Sequence, residues 1–146
     1  MGLGHVPTGA IPFKGTRNDI PGRQHRGTRS RRSNLTRAEV GILGERIAAD
    51  FVERHGLVVV DRNVRAGRGE IDILADDHGR RVAIEVKTAV AVGDDHFLPE
   101  EAFTDEKAHT VRRLAEGLKP RATRIDLVAV SLIDSGARIR WLRSVC

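Results

Sequence analysis

Residues 69–88 constrain this chain more than any other stretch. Gly69-Glu70-Ile71-Asp72-Ile73-Leu74-Ala75 and Val82-Ala83-Ile84-Glu85-Val86-Lys87-Thr88 each alternate apolar residues with others at a period of two. That spacing sends successive strand side chains to opposite faces. Ile71 and Ile73 are predicted to point one way, and Glu70, Asp72 and Leu74 the other. Val82, Ile84 and Val86 share a face, with Ala83, Glu85 and Lys87 opposite. The connection carries His78-Gly79, suited to a tight turn because glycine takes positive φ freely. Centring the turn there sets Asp77 against Arg80, Asp72 against Glu85 and Glu70 against Lys87. Three carboxylates and an ammonium then gather on one sheet face, a geometry suited to a metal ion. The same alternation also describes the solvated face of a half-buried sheet, with cross-strand ion pairs worth roughly 0.5 kcal/mol each. Against that, the charges interrupt runs otherwise as apolar as a central strand. A desolvated carboxylate there is costly unless it meets a cation.

At 146 residues, with 40% hydrophobic and 31% charged content, the chain suits one ordinary globular domain. It has no run of about 18 apolar residues and no apolar region of a secretory signal. Its single cysteine, Cys146, leaves no internal disulfide framework. The expectation is a cytoplasmic protein with no membrane segment. Residues 1–37 hold eight Lys and Arg against Asp19, a net +7 within a whole-chain charge of +5, so residues 38–146 carry −2. Residues 1–33 are read as a basic, disordered extension and 34–146 as the domain. The extension either lends sequence-independent attraction to phosphates, merely solubilises the chain, or reflects a misassigned start.

Thr36-Arg37-Ala38-Glu39 has capping-box spacing. Val40, Leu43, Ile47 and Phe51, beside Gly44 and Ala48, predict an apolar helical stripe ending near Gly56. Glu45 lies on its shoulder, either looking across at the sheet or solvated. Leu57–Val60 reads as a strand, and the cationic, glycine-bearing 61–69 segment as a mobile lead into the next one. A loop from 89 to 103 follows. Thr104 caps a helix running to Leu118, with Ala108, Val111, Ala115 and Leu118 on its apolar side. Strands at 124–132 and 137–142 complete the order α-β-β-β-α-β-β. The expected class is α/β: a mixed sheet of about five strands with helices on opposite faces. Convergence with Glu45 requires Asp72, Glu85 and Lys87 to face the first helix. Asp126 reads as a structural partner of Arg124 or of an arginine in 62–68, and Trp141 as a residue at the core margin. No histidine or cysteine spacing suits zinc, and His96 beside Asp94 and Asp95 reads as part of a solvated loop. Gly67-Arg68-Gly69 lacks the third glycine and following helix of a dinucleotide fingerprint, so no nucleotide cofactor is expected. Aromatic content of 3% argues against base-stacking platforms.

Phosphodiester hydrolysis requires an activated water and a neutralised anionic transition state. A divalent ion held by carboxylates supplies both. Mg²⁺ (or Mn²⁺) suits Asp72 and Glu85, with the Val86 carbonyl as a further ligand, since Mg²⁺ keeps several waters beside one or two carboxylates. Lys87, on Glu85's face, is placed to orient the water or stabilise charge at phosphorus. Glu45 would act through water or at a second ion.

A carboxylate followed about a dozen residues later by Glu85-Val86-Lys87 resembles the signature of the PD-(D/E)XK, restriction-endonuclease-like nucleases. A closer resemblance is to the uncharacterised bacterial YraN family, which is similar to Holliday-junction resolvases. It is carried by Gly44-Glu45, Arg62-Asn63, Gly69-Glu70-Ile71-Asp72, Glu85-Val86-Lys87, Glu101-Ala102, Lys107 and Arg124-Ile125-Asp126, over roughly residues 36–142. The resemblance implies a restriction-endonuclease-like core with Glu45, Asp72, Glu85 and Lys87 as catalytic residues. Asp72 and Glu85 would be its metal ligands. DNA, branched or structured, is the implied partner, with Arg65, Arg68 and Lys107 as contacts. Resolvase-like enzymes tend to be dimers, because two strands must be cut, but no dimer interface is legible here. Ala89, Val92-Gly93-Asp94-Asp95 and Ile125 depart from the family pattern at positions nearer substrate contacts than metal ligands. Two functions follow: a metal-dependent endonuclease of repair or recombination, or a non-catalytic DNA-binding accessory that keeps the nuclease fold.

Overall fold

The computed structural model describes residues 9–12, 34–91, 101 and 103–145. Its elements are β1 (Gly9–Pro12), α1 (Arg37–Arg54), β2 (Val58–Ala66), β3 (Gly69–Asp77), β4 (Arg80–Val90), α2 (Asp105–Glu116), β5 (Arg124–Ile133) and β6 (Gly136–Leu142). The strands form one sheet in the order β1-β6-β5-β4-β3-β2. Its β4–β5 pair is parallel and the others are antiparallel. A parallel pair needs a crossover, and α2 provides it.

The expected caps are present. Thr36 accepts the Glu39 N–H at 3.2 Å while Glu39 accepts the Thr36 N–H at 2.7 Å, and Thr104 accepts the Lys107 N–H at 3.3 Å. At the β3–β4 turn both central residues have positive φ, 52° at His78 and 87° at Gly79, as a type I′ turn requires. The register follows from it: Asp77 pairs with Arg80, and the ladder runs back to Ile73 and Ile84.

The helices cover opposite faces. On one, Ala48, Phe51 and Val52 of α1 pack with Ile73, Ile84, Val130, Ile139 and Trp141. On the other, Val111 and Ala115 of α2 pack with Ile71, Leu74, Ala83 and Ile125. Among the described residues no helix is long and apolar enough to cross a membrane.

Four expectations are corrected. Segment 61–66 is not a mobile lead but part of β2, which follows β3 to the Ala66–Gly69 pair with one bulge between Val59 and Asp61. Pairing there satisfies the β3 backbone groups that face away from β4. At residues 9–12 the leader is not unstructured: β1 pairs antiparallel with β6 and adds a sixth strand. This covers an otherwise open edge. Residues 1–8 and 13–33, and the 92–100 stretch holding Asp94, Asp95 and His96, lie outside the described residues. Ile71 and Ile73 do not share a face but sit in opposite layers, so β3 turns over at Asp72. Finally, Trp141 is not marginal; it is fully buried, edge-on to Phe51.

Candidate metal and nucleic-acid site

The site forms where the central hairpin loses its ladder. Beyond Ile73 and Ile84 the Val86 N–H donates to Asp72 Oδ2 at 2.8 Å. The Asp72 side chain thus stands where a strand partner would. Across on β2, Asn63 has φ 51°, a left-handed conformation that asparagine tolerates better than most residues. With its amide turned so that nitrogen faces the acids, Asn63 bonds Glu45 at 3.2 Å and Glu70 at 3.0 Å.

Glu85 is buried, and its Oε1 receives two ammonium groups, Lys87 at 3.2 Å and Lys107 at 3.3 Å. Lys87 comes from the same strand face and Lys107 from the first turn of α2. Asp72 Oδ1 and Glu85 Oε2 have no hydrogen-bond partner among the described residues.

Burial, then the neighbouring Glu85 charge, pushes the Asp72 carboxyl up to about 7. The Val86 N–H and Lys87 oppose that rise, and Glu45 adds to it. Glu45 is itself raised, first by burial; Arg62 opposes this, Glu70 and Glu85 reinforce it, and the Asn63 hydrogen bond lowers it. Glu45 is therefore not the solvated boundary residue that its position alone permits.

The direction of approach differs from expectation. Glu85 and Lys87 share the β4 parity of Ala83, which packs in the α2 layer, and Glu85 is held from α2. They face the second helix, not the first. Glu45 arrives from the α1 side, and the groups meet where β3 and β4 part. What brings Glu45 close is its neighbour: a Cβ on Gly44 would lie 1.8 Å from Thr88 Oγ1, so only glycine lets α1 settle this tightly on β4.

Arg65 and Arg68 are exposed on the β2–β3 edge, with Arg65 opposite Glu70. Lys107, expected as a nucleic-acid contact, also pairs with Glu85 and so lies at the edge of the acidic cluster. Asp126 is structural: Arg124 reaches both its oxygens at 3.0 Å, and Trp141 Nε1 and Ser144 N–H add bonds of 3.0 and 2.9 Å. Arg124 also binds Asp77 at 2.6 Å. The Trp141 and Ser144 donors and the role of Asn63 escaped the sequence reading; the pairing Arg62-Asn63 was the one available signal for Asn63. Among the described residues no three Asp, Glu, His or Cys side chains form a ready-made metal cage.

A three-layer α/β protein with a carboxylate–lysine cluster at the broken end of its central hairpin is the class this architecture defines. Within that class the chain belongs to Uncharacterised protein family UPF0102, whose profile matches residues 44–130. That span contains Glu45, Asp72, Glu85, Lys87 and Lys107. The UPF0102 protein of Renibacterium salmoninarum is 43% identical over 118 residues, 75% of this chain and 98% of that one. Those of Beutenbergia cavernae and Streptomyces coelicolor are 41% and 42% identical, covering 73% and 70% of this chain and 94% and 84% of theirs. Among solved structures, Pyrococcus furiosus SfsA in complex with Ca²⁺ is similar over 70% of this chain and 63% of that chain, with 14% identity and a TM-score of 0.38.

Proposed function

We propose that this protein is a metal-dependent endonuclease acting on structured or branched DNA. The observation that carries the reading is the Asp72–Glu85 pair: a half-buried and a buried carboxylate at one strand opening, each with an oxygen that no described residue bonds, beside two ammonium groups. Such mutual repulsion is characteristic of sites built for a cation or a proton. Mg²⁺ or Mn²⁺ fits the donor set, because a hard ion accepts two carboxylates and fills its other positions with water. Such an ion, when bound, would acidify a water and neutralise charge on the scissile phosphate.

The chain's own residues have separate tasks. Asp72 and Glu85 hold the ion, and the Val86 N–H orients Asp72. Lys87, 27% exposed, is placed to meet a phosphoryl oxygen or the attacking water. Lys107, 44% exposed and on another element, is the ammonium free to leave Glu85 first. Glu45 and Glu70, tied by Asn63, form an outer acidic wall. The exposed Arg65 and Arg68 would meet backbone phosphates along the β2–β3 edge.

The test is a panel of labelled linear, flap, nicked and four-way DNAs incubated with Mg²⁺ or Mn²⁺. Wild type should cut at least one substrate; Asp72→Asn, Glu85→Gln and Lys87→Ala should lose at least 100-fold in rate. Either acid variant cutting at the wild-type rate would remove its ligand assignment. The two lysines on Glu85, together with the absence of a three-residue cage among the described residues, favour a second reading. In it the protein binds DNA without cutting it, and wild type and Lys87→Ala bind a junction equally while neither cleaves.

A further inference from the structure

Two concavities of about 180 and 440 Å³ lie away from the acidic cluster, at the opposite end of β4. Arg112 and Arg121 line the first; Arg80, Arg81, Pro120 and Arg121 line the second; Thr123 is common to both. Arg80 is partly engaged, with Nε 3.4 Å from Thr123 Oγ1 and Nη2 3.3 Å from its carbonyl. Among the described residues Arg81, Arg112 and Arg121 have no ion-pair partner. The carboxylates in the lining are Glu116 and Asp76, and Asp76 is occupied by the Gly79 N–H at 2.7 Å. The carbonyls of Arg113, Leu114 and Ala115 at the end of α2 already accept the N–H groups of Gly117, Leu118 and Ala122. The negative end of the helix dipole is thereby muted, and the guanidiniums dominate.

We infer that this arginine-lined cleft is a second phosphate-binding surface, which holds the nucleic-acid strand as it leaves the candidate cutting site. Arg81 has the β4 parity of Glu85 and lies four residues before it, so both face the α2 side about 13 Å apart at roughly 3.3 Å per residue. That is about four nucleotides at roughly 3.4 Å each. A mononucleotide cannot bridge the two; a continuous strand can. Four arginines spread over two concavities that share Arg121 and Thr123 suit phosphate oxygens by their planar, multi-donor geometry. The ligand's identity rests on the nuclease reading, whereas the cleft's affinity for phosphate does not need catalysis.

The test uses the full chain carrying Asp72→Asn, with Mg²⁺ present, and a labelled four-way DNA junction followed by anisotropy across a salt series. Adding Arg81→Gln, Arg112→Gln and Arg121→Gln should weaken binding at least tenfold. It should also flatten the plot of log K against log salt by about 2 to 3, close to 0.9 per lost contact. The triple Arg→Lys variant should keep most of the slope, and unchanged melting temperatures exclude a folding effect. If the parent binds DNA and the Gln variant keeps the same slope, the cleft has no such role. If the parent binds no DNA, both this inference and the nuclease reading fall. If the variant loses only binding to anionic phosphatidylglycerol vesicles, a membrane surface replaces the DNA strand. If the variant loses DNA binding and wild type cleaves nothing, the cleft stands and catalysis falls.

Discussion

A carboxyl that keeps its proton to about pH 7 does not strain its fold in strong acid; the cost builds as pH climbs from its ordinary value towards neutrality. Asp72 is such a group, raised from 3.8 by burial and by Glu85. Its folded pKa lies above its unfolded one, so its stabilising contribution is fully present below pH 3.8 and is lost as pH rises towards 7. A shift of about three units corresponds to roughly 4 kcal/mol, which solvent contact at this half-buried position reduces to the order of 1 to 2. In metal-free buffer Asp72→Asn should therefore exceed wild type in melting temperature by clearly more at pH 8 than at pH 5, where only part of the loss has accrued. Thermal melts showing the same difference at both pH values would count against the assignment. Asp77 runs the other way: its hydrogen bond to Arg124 holds it below the usual carboxylate range. Its contribution is present above the unfolded pKa and disappears as pH falls through the folded one. Asp126 has no exposure and four donors, so Asp126→Ala leaves the buried Arg124 with Asp77 as its remaining carboxylate and Trp141 Nε1 without a partner, and should cost about 3 kcal/mol in denaturant titrations. Asp72, Glu85 and Lys87 were legible because period-two spacing and one turn suffice to gather them. Lys107 was not, because its contact crosses between layers. The raised Glu45 was not legible either, since it depends on how closely α1 approaches Thr88.

At the scale of the element, the β3–β4 hairpin and the seat of α1 decide the site. The turn residue His78 has φ 52° and its side chain is 91% exposed. Its contact with Asp77, 3.9 Å and solvent-exposed on the histidine side, contributes little, and asparagine is preferred at this position of a type I′ turn. His78→Asn should raise the melting temperature slightly, whereas Gly79→Ala should lower stability by about 1 kcal/mol. Gly44→Ala would push a methyl into Thr88. The expected result is a shift of α1 that costs 1 to 3 kcal/mol, on the order of other overpacked contacts. It should also carry Glu45 away from Asp72, read as a changed Mn²⁺ affinity by calorimetry. Unchanged stability would mean that α1 does not need so close a seat. Both helices were legible through their caps and apolar spacing. The length of β2 was not, because Arg62, Asn63 and Arg65 look like loop residues until β3 offers its unpaired edge. The alternation rule failed at Ile71 and Ile73 because the strand turns over between them, where Asn63 of the facing strand takes a left-handed conformation.

For the whole molecule, the basic leader is the least legible part. Its composition signals disorder, yet Gly9–Pro12 completes the β6 edge, a long-range pairing that no local pattern announces. Deleting residues 1–33 removes both that strand and seven of the basic side chains. The truncated chain should show a shallower salt dependence of DNA binding, and self-association through the bared β6 edge in sedimentation. A monomer with an unchanged salt slope would make the leader a passive extension. The single parallel pair among the described strands has a different consequence, concerning how the chain assembles. The β2–β3–β4 meander and the β5–β6 hairpin are each built from neighbouring segments, but Val82 meets Arg124 only after α2 has been crossed. Long-range closure of this kind is slow. Refolding should accordingly begin as two independent halves, with Glu45, Asp72, Glu85 and Lys87 all in the first. The Asp77–Arg124 clasp, which joins the halves, would be among the last native contacts to appear.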